Sequence, residues 1–201
     1  MLGDTLVVLD WETTGLIPGP FSAISLGAVA VVNGAEHSEF YTNILELPGA
    51  KRQRSTMEFW SHHQERWNDT LVNPKPPAEA MGSFVEWILK LPGTNKTRVF
   101  AANPASFESC FLMYYLYRYL PEDYFAQAFN RVRVLDIRTM VAMLFGKDFS
   151  RAERSLIPAE WTEGLKITHN ALDDAREQAR VLVHLANAHA ELREAALQPQ
   201  E

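Results

Sequence analysis

The stretch Val8-Leu9-Asp10-Trp11-Glu12-Thr13-Thr14-Gly15 sets two carboxylates two residues apart at the end of an apolar run. On a strand, residues two apart share a face, so Asp10 and Glu12 point together while Trp11 points away. Two bare anions held side by side repel each other. The arrangement becomes inexpensive only when one carboxylate takes up a proton or a divalent cation sits between them. A chain carrying this pair is expected to bury the strand centrally and to gather the remaining parts of a metal site around its end.

Hydrophobic patterning supplies the other elements. Residues 5–9 and 22–32, the latter rich in small and β-branched side chains, read as strands. Asn33-Gly34 marks a tight hairpin into a third strand at 36–42. The basic stretch 48–54 reads as a loop. Met57, Trp60 and Trp67 follow helical spacing, as do Met81, Phe84, Val85, Ile88 and Leu91 behind Pro76-Pro77, which predicts two helices about a loop at Asn73. Residues 98–102 predict a fourth strand, followed by a helix capped by Ser106 and stopped by Pro121. Residues 132–137 predict a fifth strand, with a short helix near 139–145. The charged segment 146–167 lacks periodicity and is expected to be a loop reaching over a site. A last helix should start at the capping residue Asn170 and carry Leu172, Ala175, Ala179, Leu182 and Ala186 as its apolar stripe, with fraying after Leu197.

Three strands in a meander followed by alternating helices and strands predict an α/β fold, a mixed five-stranded sheet with helices on both faces. We expect a single domain over 1–201, with its core at about 5–190. The two acids then fall near the starts of the helices after strands four and five, a common place for sites in such folds. The net charge of −6 opposes a broad basic surface for gripping nucleic acid, but not engagement of phosphate through bound metal. Cys110 is the only cysteine and reads as a small buried hydrophobe, so no internal disulfide is expected. With no leader and no apolar stretch of membrane-span length, a cytoplasmic protein without a membrane partner is expected.

Two further segments carry chemistry. Ser106-Phe107-Glu108 sets an acid in the first turn of a helix that directly follows a strand, where the helix N-terminus favours negative charge. His169 stands just before the last helix, with Asp174 five residues on. On one continuous helix that spacing turns the two groups about 140° apart, whereas with His169 in the preceding loop both can face one centre. Asp173 is assigned to capping.

At these residues the chain resembles the 3′ to 5′ exonucleases of the DEDDh type, which include oligoribonuclease, ribonuclease T and polymerase proofreading domains. The resemblance rests on three ordered blocks: Asp10-x-Glu12-Thr13-Thr14-Gly15, Ser106-Phe107-Glu108-x-x-Phe111-Leu112, and His169-x-Ala171-Leu172-x-Asp174-Ala175. Ser25-Leu26-Gly27-Ala28-Val29 also resembles the family's second strand. The resemblance implies a ribonuclease H-like fold and hydrolysis of phosphodiester bonds from the free 3′ end of single-stranded RNA or DNA, releasing nucleoside 5′-monophosphates. It implies two divalent cations, Mg²⁺ or Mn²⁺, held by Asp10, Glu12, Glu108 and Asp174, with His169 as the general base. Thr13 and Leu16 are the implied contacts of the terminal nucleotide, and Phe107 is either a base-stacking or a core residue. A homodimer is among the assemblies the resemblance admits.

One position departs from the family pattern, which has Asp where this chain has Glu108. The extra methylene moves the carboxylate outward by about a bond length. Because Mg²⁺ demands near-ideal octahedral geometry, weaker or water-mediated holding of the second ion is expected, with better activity in Mn²⁺. Two other functions stay open on these residues: a nucleic-acid-binding module with an impaired site, and a metal phosphohydrolase acting on small nucleotides. His62-His63 lack the spacing of a zinc pair on one helix face. Tyr114 to Tyr119 read as packing residues, and Lys51, Arg52 and Arg54 as a solvated loop.

Overall fold

A run that is apolar on both of its faces can only be covered in the middle of a sheet, and Thr5–Thr13 (β1) lies there. The computed structural model describes residues 4–129, 132–162, 164–165 and 167–197. β1 pairs antiparallel with Ala23–Val32 (β2) and parallel with Arg98–Ala102 (β4). Ala35–Asn43 (β3) and Val134–Asp136 (β5) form the edges, giving the order β3-β2-β1-β4-β5. Asn33 and Gly34 both take positive φ, as the mirror-image turn of a two-residue hairpin requires. The helices are Arg54–His62 (α1), Gln64–Thr70 (α2), Pro77–Lys90 (α3), Ala105–Tyr119 (α4), Glu122–Ala128 (α5), Ile137–Leu144 (α6), Ala159–Thr162 (α7) and Ala171–Leu197 (α8). This is the mixed five-stranded α/β sheet that the patterning predicts.

Alternation along β1 sorts the core into two layers. Val7, Leu9 and Trp11 pack with Phe84 and Ile88 of α3 and with Phe111 and Tyr115 of α4. Leu6 and Val8 pack with Val141 of α6 and with Ala175, Ala179 and Leu182 of α8. Asp10 and Glu12 continue the second face, toward α8. That helix comes down on the sheet at Gly27, which pairs with Asp10 across the β1–β2 ladder. A Cβ at Gly27 would lie 2.2 Å from the Ala171 carbonyl carbon and 2.3 Å from the Leu172 nitrogen. Only glycine allows this approach, and it sets the depth at which the first turn of α8 meets β1.

Several boundaries differ from expectation for identifiable reasons. Pro104, not Ser106, is the N-cap of α4, and its side chain makes no capping bond. The Asp136 carboxylate does the work instead: Oδ2 accepts from the Ala105 N–H at 2.8 Å, and Oδ1 accepts from the Thr139 N–H at 2.6 Å, so one side chain secures the starts of both α4 and α6. Pro121 ends α4 and also caps the unanticipated α5, since a proline blocks continuation but suits a helix start. The expected helix through Met57 and Trp67 breaks at His63 into α1 and α2. The segment 146–167 is not a plain loop, because it contains 3-10 turns at Phe149–Arg151 and Arg154–Leu156 as well as α7. Cys110 is exposed rather than buried, because the inward stripe of α4 runs through Glu108, Phe111, Leu112, Tyr115 and Leu116. Asn170 does cap α8, its Oδ1 accepting from the Leu172 and Asp173 N–H groups. The tail after Leu197 lies outside the described residues.

Where the β1–β2 register shifts between Glu12 and Thr13, the ladder is patched by a side chain. The fully buried Tyr115 hydroxyl accepts from the Ala23 N–H at 2.8 Å and lies 3.2 Å from Ser22 Oγ. Burial pushes this phenol up to about 12, so it stays protonated across the working pH range. A Tyr115→Phe variant strands a buried N–H and is expected to lose about 1–3 kcal/mol of stability, measurable by urea denaturation.

Candidate active site

β1 and α8 bring three carboxylates together. Asp10, Glu12 and Asp174 each offer an oxygen, and these oxygens lie within 4.8 Å of one another. Asp174 stands in the first turn of α8 and is held by the chain entering that helix: the Thr168 N–H donates to Oδ1 at 2.7 Å and the His169 N–H to Oδ2 at 3.1 Å. Asp10 Oδ1 accepts from Gln178 Nε2 at 2.9 Å. Glu108 arrives from the other layer, on the first turn of α4. β4 pairs with β1 only as far as Val8, and beyond that point the Trp11 N–H donates to Glu108 Oε2 at 3.1 Å. Glu108 is thus 3% exposed beside Asp10 and Glu12, but it is not one of the three whose oxygens converge.

Electrostatics follow from this crowding. Burial first, then the charge of Asp174, pushes Asp10 well above the ordinary carboxylate range. Burial and the charges of Asp10 and Asp174 do the same to Glu12. Glu108 is raised by burial, Asp10 and Glu12, against the opposing Trp11 hydrogen bond. Asp174 is raised by burial and lowered by its two backbone donors, which favour the ionised form. The neighbouring Glu177 is paired with Arg154 at 2.7 Å. Converging hard oxygen donors with excess negative charge are the donor set that Mg²⁺ or Mn²⁺ takes, so the residues present fit such a group.

Two cavities flank the acids. One, of about 220 Å³, is lined by Asp10, Asn103, Arg154, Asp174, Glu177 and Gln178 among others. The second, of about 330 Å³, opens on the Glu12 side and is lined by Thr13, Leu16, Phe59, Phe107 and His169. Leu16 is 62% exposed, whereas the Thr13 hydroxyl is committed to the Gly15 carbonyl at 2.9 Å. Phe107 is half-buried against Phe111 while also lining this cavity. His169 takes positive φ, and its ring stands perpendicular to that of Phe59 with centroids 4.7 Å apart, the His63 ring centroid lying at 4.5 Å. Burial, then His63 and Arg66, lower its pKa, which favours the neutral imidazole.

Sequence reasoning gave Trp60, Phe59, His63 and Gln178 no role. Trp60 Nε1 donates to the Thr13 carbonyl at 3.0 Å and so ties α1 to the end of β1. Gln178 was legible in principle, since it lies one helical turn beyond Asp174. The positions of Phe59 and His63 depend on the break between α1 and α2, which has no periodic signal.

Comparisons with known proteins agree with this geometry. Residues 5–186 match the family model described as the 3′-5′ exoribonuclease Rv2179c-like domain. The chain is 29% identical over 181 residues to the 3′-5′ DNA exonuclease Cap18 of Escherichia coli, covering 89% of each. The fold resembles the nuclease domain of 3′hExo, a DEDDh family member solved with rAMP (TM-score 0.62, 15% identity, 92% of each chain). It also resembles the Mg²⁺ and Mn²⁺ bound form of S. pombe Pop2p (TM-score 0.63, 12% identity, 92% of this chain and 83% of that one). A 3′-exonuclease solved in recognition of a histone mRNA stem-loop shares the fold at TM-score 0.64 and 15% identity, and this chain, 92% covered, spans 64% of it. The fold is therefore ribonuclease H-like. No helix among the described residues is long and apolar enough to cross a membrane.

Proposed function

Because the chain belongs to the Rv2179c-like 3′-5′ exoribonuclease domain family, of DEDDh type, we propose that it removes nucleoside 5′-monophosphates from the free 3′ end of single-stranded nucleic acid. The observation that carries this reading is the convergence of Asp10, Glu12 and Asp174 oxygens within 4.8 Å of one another beside Glu108. These four residues would hold two divalent cations, which supply Lewis-acid stabilisation of the charge developing on the phosphoryl oxygens.

The remaining residues divide the work. His169, kept neutral by its surroundings, accepts the proton of the attacking water. Leu16 and Phe107 provide the apolar walls against which terminal bases pack, in the sequence-tolerant manner of single-strand binding. Asp10 and Glu12 are bound to the rigid central strand, and Asp174 to backbone donors, so the site needs little rearrangement when charge develops. Glu108 joins α4 to the open side of β1 and adds negative charge without entering the closest cluster. Both RNA and DNA belong among the candidate substrates, since the family description names an exoribonuclease and Cap18 is a DNA exonuclease.

The test is a panel of end-labelled single- and double-stranded RNA and DNA digested with Mg²⁺ or Mn²⁺. Release of 5′-monophosphates from the 3′ end is expected. A His169→Ala variant should lose about 10²- to 10⁴-fold in kcat while binding Mn²⁺ as wild type does. The acid limb of the rate profile should fall below the ordinary imidazole value of 6.5, because activity needs the neutral ring and its pKa is lowered. A wild-type chain that binds an oligonucleotide but releases nothing would make it a binding module, and hydrolysis confined to dinucleotides would make it a small-nucleotide phosphohydrolase.

A further inference from the structure

Asp10 receives a hydrogen bond from a neutral side chain of α8, where Gln178 Nε2 donates to Oδ1 at 2.9 Å. Gln178 is 8% exposed, and its other amide atom, Oε1, is buried without a hydrogen-bond partner among the described residues. A buried amide oxygen left unpaired is a costly arrangement that calls for an explanation, and an absent water or ion is among the common ones. Gln178 lines the cavity that also receives Asp10, Asn103 and Asp174. It stands four residues beyond Asp174, so one face of α8 carries a carboxylate of the acidic cluster and, a turn later, this amide.

A neutral donor is the side chain that suits this position. A lysine would compete with a cation for the same oxygens, and a further carboxylate would add to a charge that already raises Asp10 and Glu12. Glu177, the adjacent acid, is neutralised by Arg154 instead. With Oδ1 engaged by the amide, the orientation of the Asp10 carboxylate is fixed relative to Glu12 and Asp174. Such outer partners fix the geometry of ligating groups and tune affinity for the ion.

We propose that Gln178 is a positioning residue for Asp10: its amide N–H fixes the carboxylate for cation binding. The inference rests on the metal-site reading above.

The test is calorimetric titration of Mn²⁺ into the full chain without nucleic acid, for wild type, Gln178→Met and Gln178→Ser. Met matches the length without a polar amide, and Ser stays polar but cannot reach Asp10. Folding of each is checked by circular dichroism and thermal melting. The expected result is Mn²⁺ binding about 10- to 100-fold weaker in both variants. The Mn²⁺ concentration for half-maximal nucleotide release should rise in step, while KM for the oligonucleotide at saturating Mn²⁺ holds. A purely structural role would shift melting without this split. Folded variants, either one, that bind Mn²⁺ like wild type overturn the inference and leave the metal site standing. A wild-type chain that takes up no Mn²⁺ overturns the metal-site reading, and this inference with it.

Discussion

An Asp10→Asn variant is expected to release nucleotides at least about 10³-fold more slowly than wild type while melting at a higher temperature without metal. Both effects have one cause. The Asp10 carboxylate lies among Glu12, Asp174 and Glu108, and its charge raises the pKa of Glu12 and Glu108. Asparagine keeps the shape and can still accept from Gln178, but it removes a charge that the folded chain holds against repulsion. Each kcal/mol relieved moves the midpoint of a chain this size by about 2–4 °C.

The pH dependence has a definite sign. Asp10 is raised in the folded state above its ordinary value of 3.8, so in that window the folded chain binds the proton more tightly than the unfolded one. Stability of the metal-free protein is then penalised progressively as pH climbs through the folded value, and the penalty is absent below 3.8. Wild-type and Asp10→Asn melting curves should converge near that acid end and diverge toward neutral pH, and adding Mn²⁺ should stabilise wild type alone. A variant that melts lower than wild type at neutral pH without metal would refute this account of the cluster.

Gly27→Ala is the second large effect, and it acts through packing without changing any charge. The added methyl meets the backbone of Ala171 and Leu172 at 2.2–2.3 Å, atoms that cannot swing aside as a side-chain tip would. Overpacking of this kind costs about 1–3 kcal/mol, or more where backbone must move. The first turn of α8 has to lift from β2, and Asp174 lifts with it, away from the two acids on β1. Displacement of about 1 Å at a catalytic centre is worth about 10²-fold in rate. Activity and Mn²⁺ affinity should therefore fall together in a protein that circular dichroism still reports as folded. Wild-type rate and affinity in a folded Gly27→Ala protein would show that α8 accommodates the methyl elsewhere.

Much of this architecture can be read from the chain because its signals are local. The Asn33-Gly34 turn, the fourth strand and the Asn170 cap each depend on a handful of adjacent residues, and each forms where patterning predicts. One difference arises where a distant group substitutes for a local one, and two where helical phase or continuity is broken locally. Ser106 looked like a cap, but the α4 start is secured by Asp136, thirty-one residues away. The break at His63 interrupts a run whose apolar spacing is continuous. At Cys110 helical phase outweighs residue type: its neighbour Phe111 is on the inward stripe and it is not.

By itself the sequence determined the order of the elements, the shared face of Asp10 and Glu12, and the place of Asp174 in the first turn of the last helix. These follow from the two-residue period of a strand and the turn of a helix, which act over neighbouring positions. Tertiary structure alone decided that Glu108 binds the β1 backbone across 97 positions and that Gln178 binds Asp10 across 168. Such partners are selected by how closely two layers pack, for Gln178 by the missing side chain at Gly27 that lets α8 approach, and no periodicity along the chain records that distance.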